Sequence, residues 1–209
     1  MRASKVAIEG LLCRKPNNCM RIIAGRFRGR TLRRPKSHGV RPTADRVREA
    51  LFSILGQRVR DSRVLDLFAG TGALGLEALS RGAACAVFVD QHREALAVLR
   101  SNVDRCGVTF PEVEVLAVNV PVALSRLAAQ KRRFDLIFMD PPYGLGWIPK
   151  ILALLDAVAA PDALIIAEHH EKDAVPDRVS LWHLVDRRRY GTVCLTFFAR
   201  MDEAPEGEG

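Results

Sequence analysis

Two stretches of the chain hold residue types at spacings that could do chemistry. In Val64-Leu65-Asp66-Leu67-Phe68-Ala69-Gly70-Thr71-Gly72-Ala73-Leu74-Gly75 a carboxylate closes an apolar run, and Gly70, Gly72 and Gly75 follow in the G-x-G-x-x-G spacing. Such a turn lets the backbone approach a ligand closely. Asp66 discriminates among ligands, because a carboxylate there repels a pyrophosphate and attracts a molecule bearing an ammonium and a sulfonium. S-adenosylmethionine is such a molecule, and Asp66, Phe68, Gly70 and Gly72 are the residues expected to hold it. Eighteen residues beyond Gly72, Asp90 ends a second apolar run, where an acid can accept both hydroxyls of a ribose. Asn119 ends a third; its side-chain oxygen could accept from an adenine amino group or serve a turn.

The second stretch is Asp140-Pro141-Pro142-Tyr143, which follows the apolar run 134–139. It suits methylation of an exocyclic amine, a poor nucleophile because its lone pair is delocalised into the ring. The Asp140 carboxylate and the Pro141 carbonyl can accept its two hydrogens, aim the lone pair at the sulfonium methyl and stabilise the charge that develops on nitrogen. Pro141 and Pro142 make these acceptors rigid, and Tyr143 offers a face on which an extruded base can stack.

The elements that must position these residues are visible as a pattern. From residue 63 onward, apolar runs of strand length (64–68, 86–89, 113–118, 136–139, 164–167) alternate with amphipathic helices (74–79, 95–103, 122–129, 148–158). Strands buried on both faces with helical crossovers predict an α/β fold: a doubly wound, mostly parallel, Rossmann-like sheet with the acids at its carboxyl edge. Residues 179–185 and 192–198 have no helix between them and predict an antiparallel pair at one edge. Upstream, residues 21–34 read as a hairpin broken by Gly25 and Gly29, and Thr43 is the expected N-cap of a helix closing at Gly56. The expected organisation is a loose tail (1–19), a basic hairpin, loop and helix (20–56), a methyltransferase domain (57–200) and an acidic, disordered tail (201–209).

Charge is distributed unevenly over this plan. Residues 1–48 hold 14 Lys and Arg against two acids, Glu9 and Asp45, whereas the rest of the chain is net acidic although the whole carries +8. A polyanion-binding segment is the footprint such asymmetry leaves, and 26 of the 32 basic residues are arginine, whose planar fork suits phosphate. Arg26, Arg28, Arg30, Arg33, Arg34, Arg41 and Arg46 are therefore the expected RNA contacts; Arg187, Arg188 and Arg189 either extend that surface or form a solvated turn. Five cysteines, Cys13, Cys19, Cys85, Cys106 and Cys194, include no C-x-x-C pair and predict reduced thiols. His169 and His170 lack companion ligands, so no metal site is expected. No run approaches the roughly 20 apolar residues of a membrane span, and a cytoplasmic location is expected.

The motifs together carry a resemblance. Met20-Arg21-Ile22-Ile23-Ala24-Gly25 with Arg28-Gly29-Arg30, then Arg41-Pro42-Thr43-Ala44-Asp45-Arg46-Val47-Arg48-Glu49, then residues 66–82 and Asp140 to Tyr143, closely resemble the bacterial 16S rRNA (guanine-N2)-methyltransferases of the RsmD type. The likeness runs from Met20 to about Arg200, and because Met20 begins the pattern, it is an expected start of the chain. The resemblance implies a class I methyltransferase that moves a methyl group from S-adenosylmethionine to the N2 amine of a guanine in 16S rRNA, within an assembled small-subunit particle. It implies cofactor contacts from Asp66, Gly70, Gly72 and Asp90 and target contacts from Asp140, Pro141 and Tyr143. Arg41, Thr43 and Arg46 would lie near the cofactor's carboxylate or the RNA. Competing readings are a DNA-adenine or protein-glutamine methyltransferase and an RNA-binding assembly factor without activity.

Overall fold

The computed structural model describes residues 20–34 and 42–200 of the chain, with side chains from residue 45 in the second segment. Arg41 and the expected tails at 1–19 and 201–209 lie outside the described residues. Two short strands, β1 (Met20–Arg21) and β2 (Thr31–Leu32), pair antiparallel and precede helix α1 (Pro42–Leu55). The helix starts one residue before Thr43, which therefore stands in its first turn rather than at its cap, and a 3-10 turn (Gly56–Val59) follows it.

The remaining strands build one eight-stranded sheet. Its parallel part consists of β3 (Arg63–Leu67), β4 (Cys85–Asp90), β5 (Val113–Ala117), β6 (Phe134–Met139) and β7 (Ala159–His170). Next come β8 (Arg178–Val179), β9 (Trp182–Tyr190) and β10 (Val193–Arg200), and the spatial order is β5-β4-β3-β6-β7-β10-β9-β8. The predicted antiparallel pair is present as β9 and β10, with β8 added beyond it, and β10 runs antiparallel to β7. The β7 strand is longer than expected, twelve residues, and its register is fixed on both sides, by β6 along 134–139 and by β10 along 193–198. Strand order reverses between β3 and β6, the switch point at which the carboxyl edge of an open α/β sheet forms a crevice.

The helices α2 (Ala73–Ser80), α3 (Arg93–Cys106), α4 (Val120–Ala129) and α5 (Trp147–Leu152) close the crossovers. The helix expected over 148–158 is cut short at Leu152, and a 3-10 turn (Leu155–Ala157) brings the chain into β7 at Ala159. One core lies between the sheet and α1, α2 and α3, with Phe52 edge-on to Phe138 at 5.9 Å; the other lies beneath α4 and α5 and includes Trp182 and Phe198.

Residues 20–34 pack on the first core, burying Ile22, Phe27 and Leu32. Their ladder is only two residues long, so their backbone groups need other partners. Three buried side chains supply them. The Glu77 carboxylate of α2 accepts from the amides of Ile23 (2.7 Å) and Ala24 (3.0 Å), and Ser80 Oγ accepts from the Phe27 amide at 2.9 Å. Asn102 of α3 accepts from the Arg33 amide at 2.7 Å and donates to the Arg33 carbonyl at 3.1 Å and the Thr71 carbonyl at 2.9 Å. Glu77 is fully buried, and the guanidinium of Arg81 donates to it at 2.8 Å.

Candidate active site

The glycine turn is fixed by packing. Gly72 adopts φ +77° as the residue before α2, and a Cβ there would stand 2.4 Å from Leu99 Cδ1; one at Gly75 would stand 2.3 Å from Phe88 Cε1. Both sites admit only glycine without moving buried side chains. Gly70 differs: its φ is +56°, yet only the Phe68 carbonyl lies near a Cβ, at 3.9 Å, so the space beside it is open. Phe68 itself has φ +60°, a strained value for an aromatic residue. Its ring stands 6.0 Å from that of Trp147, so the end of β3 is propped against the start of α5.

Two acids end the neighbouring strands. Asp66 is buried and accepts from the Gly75 amide at 3.0 Å. Burial pushes its carboxyl up to about 8; the Gly75 hydrogen bond opposes the rise and the Asp90 carboxylate adds to it. Asp90, also buried, accepts from the Gly70 amide and the His92 amide, both at 2.8 Å. One backbone donor on each oxygen leaves further lone pairs for hydroxyl donors. Asn119 is the N-cap of α4, its oxygen accepting from the Val122 amide at 3.0 Å. Of the two uses foreseen for it, the turn is occupied, and an adenine amine would have to use the oxygen's second lone pair.

Across the switch point, Asp140 stands exposed just beyond β6, and Pro141 is buried behind it. The Tyr143 hydroxyl donates to Glu168 at 3.3 Å, and its ring lies 5.9 Å from that of His170. Asp173 accepts from the Gly144 amide at 3.0 Å and from the His170 amide at 3.1 Å. Glu168 and Asp173 thus fasten the Asp-Pro-Pro-Tyr loop to the end of β7. Neither was foreseen, since nothing local marks them; only the parallel pairing of β6 with β7 brings them there. His169 is a buried structural residue: its Nδ1 donates to the His170 carbonyl, its Nε2 meets the Thr196 hydroxyl at 2.8 Å, and burial lowers its pKa.

The arginines fall into separate groups. Arg26 pairs with Glu112, and Arg30 donates to the Arg105 carbonyl at 2.7 Å; both cover the Phe27 ring. This turn sits by Ser80, at the opposite end of α2 from the glycine turn, with Arg28 exposed beside it. Arg33 lies instead against Asn102, whose amide reaches the Thr71 carbonyl of the glycine turn, and Arg34 pairs with Asp45 of α1 at 3.7 Å. Arg46 is exposed near the start of α1. Arg187, Arg188 and Arg189 lie on β9 and are matched by Asp177, Asp186 and Glu171. Among the described residues, no group of His, Cys, Asp and Glu could hold a metal ion, and no helix is long and apolar enough to cross a membrane.

A sheet in this order, with acids ending its first two crossover strands and an Asp-Pro-Pro-Tyr loop at the switch point, defines the class I methyltransferase fold. Residues 20–199 match the family described as Conserved hypothetical protein 95, and the chain belongs to that family. The ribosomal RNA small subunit methyltransferase D of Escherichia coli is 37% identical over 193 residues, covering 90% of this chain and 95% of the relative. A solved E. coli structure assigned as a methyltransferase, yhhF, is 37% identical with a TM-score of 0.74, covering 88% of this chain and 98% of its own. At 22% identity and a TM-score of 0.59, a T. thermophilus 16S rRNA N2 G1207 methyltransferase in complex with AdoMet and guanosine shares the fold, over 80% of this chain and 45% of its own.

Proposed function

We propose that this protein is an S-adenosylmethionine-dependent methyltransferase of small-subunit rRNA that methylates the N2 amine of a guanine. The observation that carries this reading is the pairing of a buried, glycine-flanked acid pair with an Asp-Pro-Pro-Tyr loop exposed at Asp140 across one switch point, in a chain 37% identical to an rRNA small subunit methyltransferase over nearly its full length. The cofactor supplies an electrophilic methyl group. Asp66 would face its cationic end, Gly70 and Gly72 would let it approach the backbone, Phe68 would flank it, and Asp90 would accept from the ribose hydroxyls. Asp140 and the Pro141 carbonyl would receive the hydrogens of the guanine amine, Pro142 would stiffen the loop, and Tyr143, steadied by Glu168, would stack on the extruded base. No covalent enzyme intermediate is required: the amine would take the methyl group directly as the carbon–sulfur bond breaks, the electron pair leaving with sulfur as a neutral thioether and the amine giving up a proton.

Arg33, Arg34 and Arg46, with Arg41 on the segment between, would grip RNA beside the site and Thr43 would reach the cofactor's carboxylate, whereas Arg26, Arg28 and Arg30 would meet phosphates about one helix length away. In organisation, residues 20–56 are the RNA-facing segment, 57–200 carry the transfer, and 16S rRNA in an assembled subunit particle is the substrate. Mass-spectrometric mapping of rRNA in a strain lacking the protein tests the reading: one N2-methylguanine of 16S rRNA should disappear and return on complementation. An unchanged 16S methylation pattern would refute it.

A further inference from the structure

A cavity of about 290 Å³ opens beside the catalytic loop. One wall is formed by Pro141, Pro142, Trp147 and Pro149, the other by Lys172 and Val175, and neither Asp140 nor Tyr143 lines it. It therefore borders the place where the target amine would lie, sharing Pro141 with it, without reaching the Asp140 or Tyr143 side chains. The walls come from two loops tied together by Asp173, whose two oxygens accept from the Gly144 and His170 amides. Trp147 is held by Phe68 on one side, with the Lys150 ammonium 5.9 Å from its ring. At Gly144 and Gly146 the space a side chain would take is empty, so a ligand can come close to the backbone there.

Flat apolar surfaces, accessible backbone and an exposed ammonium at the rim, Lys172, are the chemistry that receives a nucleobase and its phosphate. The volume lies at the small end of ligand pockets and suits one nucleotide. Asp173 lines the cavity too, its two oxygens occupied by the backbone donors of the two loops, and Lys172 is the cation beside it. We propose that this cavity binds the nucleotide of the substrate RNA adjacent to the methylated guanine, its base against Pro142 and Trp147 and its phosphate toward Lys172. The inference rests on the rRNA methyltransferase reading. Seating the neighbour against Pro142 and Trp147, next to the groups that would meet the amine, would hold the strand open around the extruded guanine and add specificity for an unpaired neighbour.

The test uses the full chain and small-subunit particles isolated from a strain lacking it. Ala174→Trp places an indole in the cavity, and Lys172→Glu reverses the rim charge. Blocking the stacked base or reversing the charge that meets its phosphate should each raise the KM for particles about tenfold, while the affinity for S-adenosylmethionine, read by calorimetry, stays at the wild-type value. Lys172→Arg should restore most of the KM. If both variants methylate particles with wild-type KM, or if the loss appears only in kcat, the cavity is not a nucleotide subsite. If the wild-type protein itself fails to methylate particles, the rRNA reading falls, and this proposal with it.

Discussion

The two sides of the switch point are built on different principles. At the ends of β3 and β4, the groups expected to meet a cofactor are buried acids held by backbone amides of the glycine turn and the next loop: Asp66 by the Gly75 amide, Asp90 by the Gly70 and His92 amides. At the end of β6, the Asp-Pro-Pro-Tyr loop is exposed at Asp140 and is held by carboxylates far away in sequence, Glu168 and Asp173. On the proposed function, the contrast matches what each side would do. A small ligand can be enclosed by a preformed turn, whereas a base presented by a macromolecule must be admitted from outside, so the groups that meet it stay exposed and are steadied from behind.

The sharpest test of this division is Asp140→Ala. Removing one preorganised acceptor for the reacting amine should lower kcat on small-subunit particles about 10²–10³-fold, while calorimetry returns a cofactor affinity within about twofold of wild type. A parallel loss of cofactor affinity would show that the two sides are not separable.

A paired substitution compares the glycines of the two sides. Gly75→Ala forces a methyl group into the Phe88 ring and should cost about 1–3 kcal/mol in stability, with a loss of cofactor affinity. Gly144→Ala meets nothing within 4 Å and bears only the strain of φ +76°, about 1 kcal/mol. Thermal denaturation ranks them, and equal losses would contradict the packed character of the cofactor side.

Why one side is easier to read from sequence than the other is now plain. The strands and acids of the parallel sheet announce themselves because an apolar run, an acid and a glycine turn are neighbours along the chain, although the Gly70 amide reaches Asp90 only when β4 pairs with β3. Glu168 and Asp173 acquire their roles only when β7 pairs with β6. The N-terminal segment shows the same limit. Its arginines marked it as basic, but sequence could not show that Glu77, Ser80 and Asn102 would satisfy its backbone and fold it against α2 and α3. Nor could it show that Arg26 and Arg33 would end up at opposite ends of α2. Arg48 is a further case: it is buried, donates to the Arg21 carbonyl, and has its pKa lowered by desolvation despite Asp45 and Glu77 nearby.

Asp66 makes the cofactor side sensitive to pH. Burial pushes its carboxyl up to about 8, against 3.8 for a free carboxyl, so the folded state binds the proton more tightly than the unfolded one. Stability of the empty protein should therefore fall as pH rises from about 4 to about 8 and level off above that, and Asp66→Asn should flatten this slope. A cationic ligand reverses the preference, because it pairs with the ionised form. Affinity for S-adenosylmethionine should improve by up to about tenfold per pH unit on approach to pH 8, with proton release on binding visible by calorimetry in buffers of different ionisation enthalpy. A pH-independent affinity would place the ligand's charge away from Asp66.

The smallest effect is expected at Asn119, and it divides a structural role from a binding one. The side chain caps α4 through the Val122 amide, so Asn119→Ala should cost about 1 kcal/mol of stability whatever else the residue does. Asn119→Ser retains a capping oxygen but draws it back toward the backbone, out of reach of a ligand lying over the ends of β4 and β5. If Asn119 also accepts from the adenine amine, Ser should keep the melting temperature of the parent while weakening S-adenosylmethionine binding a few-fold. If Ser leaves both unchanged, the residue is a helix cap alone, and adenine recognition on the cofactor side falls to the backbone around it.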